Sequence, residues 1–117
     1  MVKFYQNSAD QGGAINASGA ISITNAVFNA NYAGYGGALS FADVYSHSTL
    51  SSVTMNDNTA YFNGGAISMI NGGNLSITNS SFYDNLALGS GGAVSVVNSG
   101  NLDIIGTSRY SSNYYGN

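Results

Sequence analysis

Few residues in this chain are equipped for chemistry, so the first question is what their spacing allows. Asp57 and Asp84 each stand two residues after a hydrophobic anchor and directly before an asparagine, in Met55-Asn-Asp-Asn58 and Phe82-Tyr-Asp-Asn85. Carboxylates held side by side disturb each other's titration or hold a cation. A metal needs several further oxygen ligands, and cleavage of a polysaccharide needs a carboxylate pair, usually with basic residues nearby. With only two basic residues in the whole chain, solvated turn positions are the plainer reading. No catalytic, cofactor-binding or metal-ligating residue is assigned.

The remaining candidates are weaker. His47 lies with Asp43 and Tyr45 in an irregular stretch, and irregular loops on regular scaffolds often carry function. One loop nevertheless supplies no Ser-His-Asp constellation. Ser22-x-Thr24 and Ser76-x-Thr78 form hydroxyl pairs of the sort an ice-binding face repeats in every row, but Asp103 and Ile105 interrupt them. Asn-x-Ser sequons begin at Asn16, Asn74 and Asn79. Roughly three are expected by chance at this content of Asn, Ser and Thr, so they say nothing about glycosylation. Tyr5, Tyr32, Tyr35, Tyr61, Tyr83, Tyr114 and Tyr115 cluster near asparagine-bearing turns. Tyrosine is common where proteins meet sugars or other proteins, and equally common as edge packing.

What would position these residues is a repeat. Phe4 to Asn7, Phe28 to Asn31, Met55 to Asn58, Phe82 to Asn85 and Tyr110 to Asn113 recur at steps of 24, 27, 27 and 28 residues. Gly12-Gly13-Ala14-Ile15, Gly36-Gly37-Ala38-Leu39, Gly64-Gly65-Ala66-Ile67 and Gly91-Gly92-Ala93-Val94 recur at 24, 28 and 27. The first anchor precedes the first glycine by 8, 8, 9 and 9 residues, so the two keep phase. Ala9, Ala33, Ala60 and Ala87 each follow the anchor asparagine by two residues.

Between the anchors the apolar residues alternate, which is the period of a strand with one face buried. Ile15 and Ala17, then Ile21 and Ile23, point inward in the first full unit, with a corner at Gly19. Leu39 and Phe41, Ile67 and Met69 with Leu75 and Ile77, and Val94 and Val96 with Leu102 and Ile104 repeat the scheme. Strict alternation leaves Ala14 and Asn16 outside, and makes Ala38-x-Ser40, Ala66-x-Ser68 and Ala93-x-Ser95 an outward, flat, uncharged face. The longer step to Tyr110 implies one extra residue, placed as a bulge near Gly106.

Short strands, glycine corners and a period near 27 residues describe an all-β solenoid, a right-handed parallel β-helix of about four coils. Residues 1–117 form a single domain with partial coils at both ends. In such a stack the anchors become files: an internal ladder from Phe4 to Tyr110, and an amide ladder from Asn7 to Asn113. Glycine pairs at the corners allow backbone dihedrals that a Cβ would forbid.

The two anchors together, Phe-x-x-Asn and Gly-Gly-Ala-Ile in phase, resemble the repeat of the chlamydial polymorphic outer membrane proteins (Pmp) and related bacterial repeat adhesins. The resemblance covers nearly the whole chain, departing at Met55 and Tyr110, where phenylalanine is the rule. It implies a β-helical passenger domain displayed at the cell surface and used in adhesion.

Composition narrows the function further. Charged residues make up 6% of the chain, two basic against five acidic, which excludes the basic footprint of a nucleic-acid binder. Hydrophobic residues make up 44%, too many for a disordered tail. Without cysteine there is no disulfide or thiol chemistry, and no apolar run is long enough for a membrane span. Neither end reads as a cap, and by alignment Met1 corresponds to Asn79 and Asn117 to Gly89. The expectation is therefore a non-enzymatic extracellular or cell-surface structural and adhesive β-helix without cofactors. Its partners would be further copies of itself, joined head to tail into a filament or longer fibre, or a host-cell surface or its glycans. The alternative is a carbohydrate-active or carbohydrate-binding β-helix.

Overall fold

In the computed structural model the repeat is a stack of coils whose equivalent strands pair in parallel. The structure describes residues 1–42, 47–71, 73–98 and 100–106, together with the backbone of 108 and 109. Strands are numbered in chain order. The long sheet runs β1 (Val2–Tyr5), β4 (Ser22–Asn29), β7 (His47–Asn56), β10 (Asn74–Thr78) and β14 (Leu102–Ile105), with β11 (Ser81–Tyr83) and β15 (Ser108–Arg109) continuing it beyond a kink. The second sheet stacks β2 (Ser8–Gln11), β5 (Tyr32–Tyr35), β8 (Thr59–Asn63) and β12 (Leu86–Ala87). The third stacks β3 (Ile15–Ala17), β6 (Leu39–Phe41), β9 (Ile67–Ile70) and β13 (Val94–Val97). Among the described residues there is no helix.

Register turns the sequence repeat into files. Phe4, Phe28, Met55 and Phe82 pair in succession, as do Ile15, Leu39, Ile67 and Val94, and Ala9, Ala33, Ala60 and Ala87. Rings of Phe4 and Phe28 stack with centroids 4.5 Å apart and planes at 4°. The core contains Phe28, Leu39, Phe41, Leu50, Val53, Met55, Ile67, Met69, Leu75, Ile77 and Phe82. Each buried side chain removes apolar surface worth about 1.5–3 kcal/mol from water, and most do so against apolar counterparts in neighbouring coils.

Each coil bends where a residue takes the left-handed conformation. Asn25, Ser52, Asn79 and Gly106 form one file of positive φ, between 48° and 61°. This file kinks the long sheet, and it corrects the bulge expected near Gly106. Leu75 pairs with Leu102 and Ser81 with Ser108, so no residue is inserted there. The anchor of the last unit shifts accordingly: Phe82 pairs with Arg109, not with Tyr110. Tyr110, Asn113, Tyr114 and Tyr115 lie outside the described residues, as do Asp43 and Tyr45.

The double glycines divide two tasks. The first of each pair has φ of +61° to +71°, and a Cβ on Gly36 would lie 2.0 Å from Leu39 O. The second is there for close approach: a Cβ on Gly65 would lie 2.0 Å from Gly92 O and 2.7 Å from Leu86 N, where the turn abuts the second sheet. Sequence reasoning credited both glycines to dihedral freedom, which holds for the first alone.

The outward face expected from Ala38-x-Ser40, Ala66-x-Ser68 and Ala93-x-Ser95 does not exist. Ala38, Ala66 and Ala93 are fully buried within the core, and Ser40, Ser68 and Ser95 are buried too. The reason is that alternation starts only after the turn. Ala38 N and Leu39 N both donate to Ala66 O at 2.9 Å, so the alanine belongs to the corner. The turn glycines then lie against the serine file, a Cβ on Gly91 falling 2.8 Å from Ser95 Cβ.

Candidate functional site

The most ordered polar feature is the asparagine file at the turn between the long and second sheets. Asn7, Asn31 and Asn58 each donate from Nδ2 to Oδ1 of the asparagine one coil on, at 3.0 Å in every case. The same Oδ1 also accepts the donor's backbone N–H, at 2.9, 3.0 and 3.1 Å. The second Nδ2 hydrogen of Asn31, Asn58 and Asn85 goes to the carbonyl of Phe4, Phe28 and Met55, at 3.1, 3.0 and 2.9 Å. Asn31 and Asn58 therefore use all four hydrogen-bonding positions of their amides, which is what burial to 1% and 0% exposure demands.

Asp57 and Asp84 share one file with Gln6 and Ala30, and all four have positive φ between 56° and 59°. Aspartate is among the few side chains that tolerate this conformation, so the recurrence at this position follows from backbone geometry. Both carboxylates are exposed. Asp57 Oδ2 accepts Asn56 Nδ2 at 2.9 Å and Asn29 Nδ2 at 3.4 Å. Among the described residues no group of three or more His, Cys, Asp or Glu comes together, and no pocket opens.

His47 begins β7 on the exposed side, with Nε2 3.4 Å from Ser76 Oγ. Residues after it supply the inward pair that the irregular corner hid. Ser48 and Leu50 stand in the files of Leu75 and Ile77, and buried Ser48 accepts Ile21 N–H at 3.0 Å. The hydroxyl rows align as Ser22, Thr49 and Ser76, and as Thr24, Ser51 and Thr78, before ending at Asp103 and Ile105. Thr49 donates to Ser22 Oγ at 3.0 Å. Asn16, Asn74 and Asn79 are exposed, Asn74 Oδ1 accepting Asn101 N–H at 2.7 Å.

The second sheet presents three of the four exposed aromatics among the described residues, Tyr32, Tyr61 and Phe62, with Tyr5 on the long sheet. Pairing of β5 with β8 runs in step through Ala33 and Ala60, then slips by one so that Tyr35 faces Asn63. This bulge is the extra residue that lengthens the third unit from 8 to 9 between anchor and glycine. It carries Tyr61 and Phe62, which are 54% and 46% exposed. Phe62 stacks on Tyr35 at 5.0 Å and meets Tyr61 edge-on at 4.9 Å and 86°. Its ring lies over Gly34, where a Cβ would sit 3.4 Å from Phe62 Cδ2. Tyr5 and Tyr32 are also exposed, whereas Tyr35 and Tyr83 are half-buried. Phe62 escaped the sequence reading because it belongs to no recurring position.

Comparison with known families places two segments. Residues 52–69 and 79–97 match the Chlamydia polymorphic membrane protein repeat. The first spans the Met55–Asn58 anchor and Gly64-Gly65-Ala66-Ile67, and the second spans Phe82–Asn85 and Gly91-Gly92-Ala93-Val94. No curated protein and no solved structure matches the chain. The matched repeat is that of a family of membrane proteins. Files joining the matched coils to their neighbours in one register complete the picture: the chain is a parallel β-helix, two of whose coils match the polymorphic membrane protein repeat.

Proposed function

We propose that this chain is a non-enzymatic, structural and adhesive β-helix of the cell surface or extracellular space, whose coils continue end to end in a filament or a longer surface fibre. The observation that carries this reading is the asparagine ladder. Every coil offers its neighbour the same amide donors, the same carbonyl and the same strand edges, so the stack has no intrinsic length. A further coil, whether from the same polypeptide or another copy, meets a ready template. Exposed aromatics on the second sheet supply contact area of the kind that binding surfaces use.

Electron microscopy of the purified chain, with sedimentation across a concentration series, tests the assembly. Rods that lengthen with concentration are expected. A monodisperse monomer at high concentration would defeat self-assembly.

A further inference from the structure

The charges of this chain are distributed unevenly between the two sides of the coil. Its acidic residues are Asp10, Asp43, Asp57, Asp84 and Asp103, and its basic residues are Lys3 and Arg109. Lys3 and Arg109 both belong to the long sheet, in β1 and β15. The arm of each coil from anchor to double glycine, residues 4–14, 28–38, 55–66 and 82–93, holds Asp10, Asp57 and Asp84 and no Lys, Arg or His. The rest of the chain balances two acidic against two basic residues, so this arm carries the whole formal charge of −3. All three of its carboxylates are exposed.

The aromatic bulge stands on this same arm. Asp10 precedes Gln11, which pairs with Tyr35, so Asp10 lies level with Gly34, whose Cα is roofed by the Phe62 ring. Inward Ala33 next to Gly34 sets the alternation, which puts Asp10 on the outer side with Phe62. Tyr61 and Phe62, at right angles, form a corner with open ring surface beside an uncompensated carboxylate. A guanidinium or ammonium is attracted to an aromatic face by the ring quadrupole, and the acidic arm adds a field of the same preference. Neutral sugars would gain nothing from that charge, and sulfated or acidic glycans would be repelled by it.

We propose that the outer surface of the second sheet, centred on Tyr61 and Phe62 with Asp10 beside them and the Asp57–Asp84 file at the turn before the sheet, docks an arginine- or lysine-bearing segment of a partner protein. This names the partner chemistry of the adhesive role proposed above and rests on that role. The test is binding of a fluorescent arginine–glycine repeat peptide to the full chain, with a glutamate–glycine peptide and a neutral oligosaccharide as comparison probes. Binding of the arginine peptide alone is expected, weakening toward physiological ionic strength as surface charges become screened. Phe62→Ala and Tyr61→Ala should each lower affinity about three- to fivefold, Phe62→Tyr should restore it, and Val97→Ala, an exposed apolar change elsewhere, should leave it unaltered. Combined Asp10→Asn, Asp57→Asn and Asp84→Asn should flatten the salt dependence. Equal binding of both peptides, indifference to Phe62→Ala, or competition by the oligosaccharide would each overturn the proposal. Adhesion to intact cells that persists in Phe62→Ala would overturn this partner while leaving the adhesive role standing.

Discussion

Asn58 shows how a polar residue becomes the most constrained part of an apolar stack. It is fully buried, accepts two hydrogen bonds from Asn31, and donates to Asn85 and to the Phe28 carbonyl. Alanine at this position strands two donors of Asn31 and the Phe28 carbonyl without water to replace the lost partner. Asn58→Ala is therefore expected to cost about 3 kcal/mol or more, read by chemical denaturation. Asn7→Ala, at the exposed first rung, should cost less than about 1.5 kcal/mol. Asn58→Asp should be no better than alanine, because a carboxylate would face Asn85 Oδ1 and a carbonyl with nothing to donate. These side chains were legible from spacing alone, since a buried amide recurring in one file can satisfy itself. Their second donation, back to the preceding coil's carbonyl, was not legible, because it depends on where the turn aims the side chain. Asp57 and Asp84 were legible as neighbours in one file but not as left-handed positions, since Gln6 and Ala30 share that conformation without sharing the chemistry.

At the level of the element, glycine is required at some corners and incidental at others. Gly65 has no room for a Cβ between Gly92 O and the backbone of Leu86, whereas a Cβ on Gly19 would meet nothing within 4 Å. Gly65→Ala should cost more than about 3 kcal/mol or prevent folding, while Gly19→Ala should stay within about 1 kcal/mol of the parent. Thermal unfolding of the two variants side by side checks the contrast. Strand alternation predicted the inward residues Ile15, Leu39, Ile67 and Leu75 correctly, yet misplaced the alanines and serines beside the double glycine. The period-two rule presumes extended backbone: the left-handed glycine breaks it for the alanine, while the serine sits within the strand and is buried because the turn glycines lie against it. Ser48 and Leu50 were missed for a related reason: an irregular corner upstream removes the phase from which they would be counted. Unit length was informative in an unexpected way. Its growth from 8 to 9 marks the Tyr61–Phe62 bulge, where the register of β5 and β8 slips.

For the molecule as a whole, repetition makes stability a sum over coils and their interfaces. Ser52 and Asn79 occupy equivalent kinks 27 residues apart, so deleting residues 53–79 joins like to like. The shortened chain should fold and unfold cooperatively with reduced stability, because every surviving file closes on a residue of its own kind. A deletion longer or shorter by a few residues should abolish folding, since a slip of register puts a neighbour of Phe82 and not Phe82 itself opposite Phe28 and turns core side chains against polar positions. Circular dichroism and denaturant titration of both deletions decide between these outcomes. The family of repeats was visible in four in-phase anchors. The acidic, aromatic side of the coil was not, because it arises from residues scattered at single positions and assembled only by stacking.

The amide bonds of the asparagine file all point the same way, each Nδ2–H directed from a lower-numbered coil to the Oδ1 of the next. The stack is consequently a vector: each coil turns an asparagine N–H, an Nδ2–H and one carbonyl toward the next coil, and an Oδ1 and the other Nδ2–H toward the coil before. The two ends are complementary to each other and not alike. Growth by this ladder must keep one orientation along its whole length, so any rod it forms has a defined polarity.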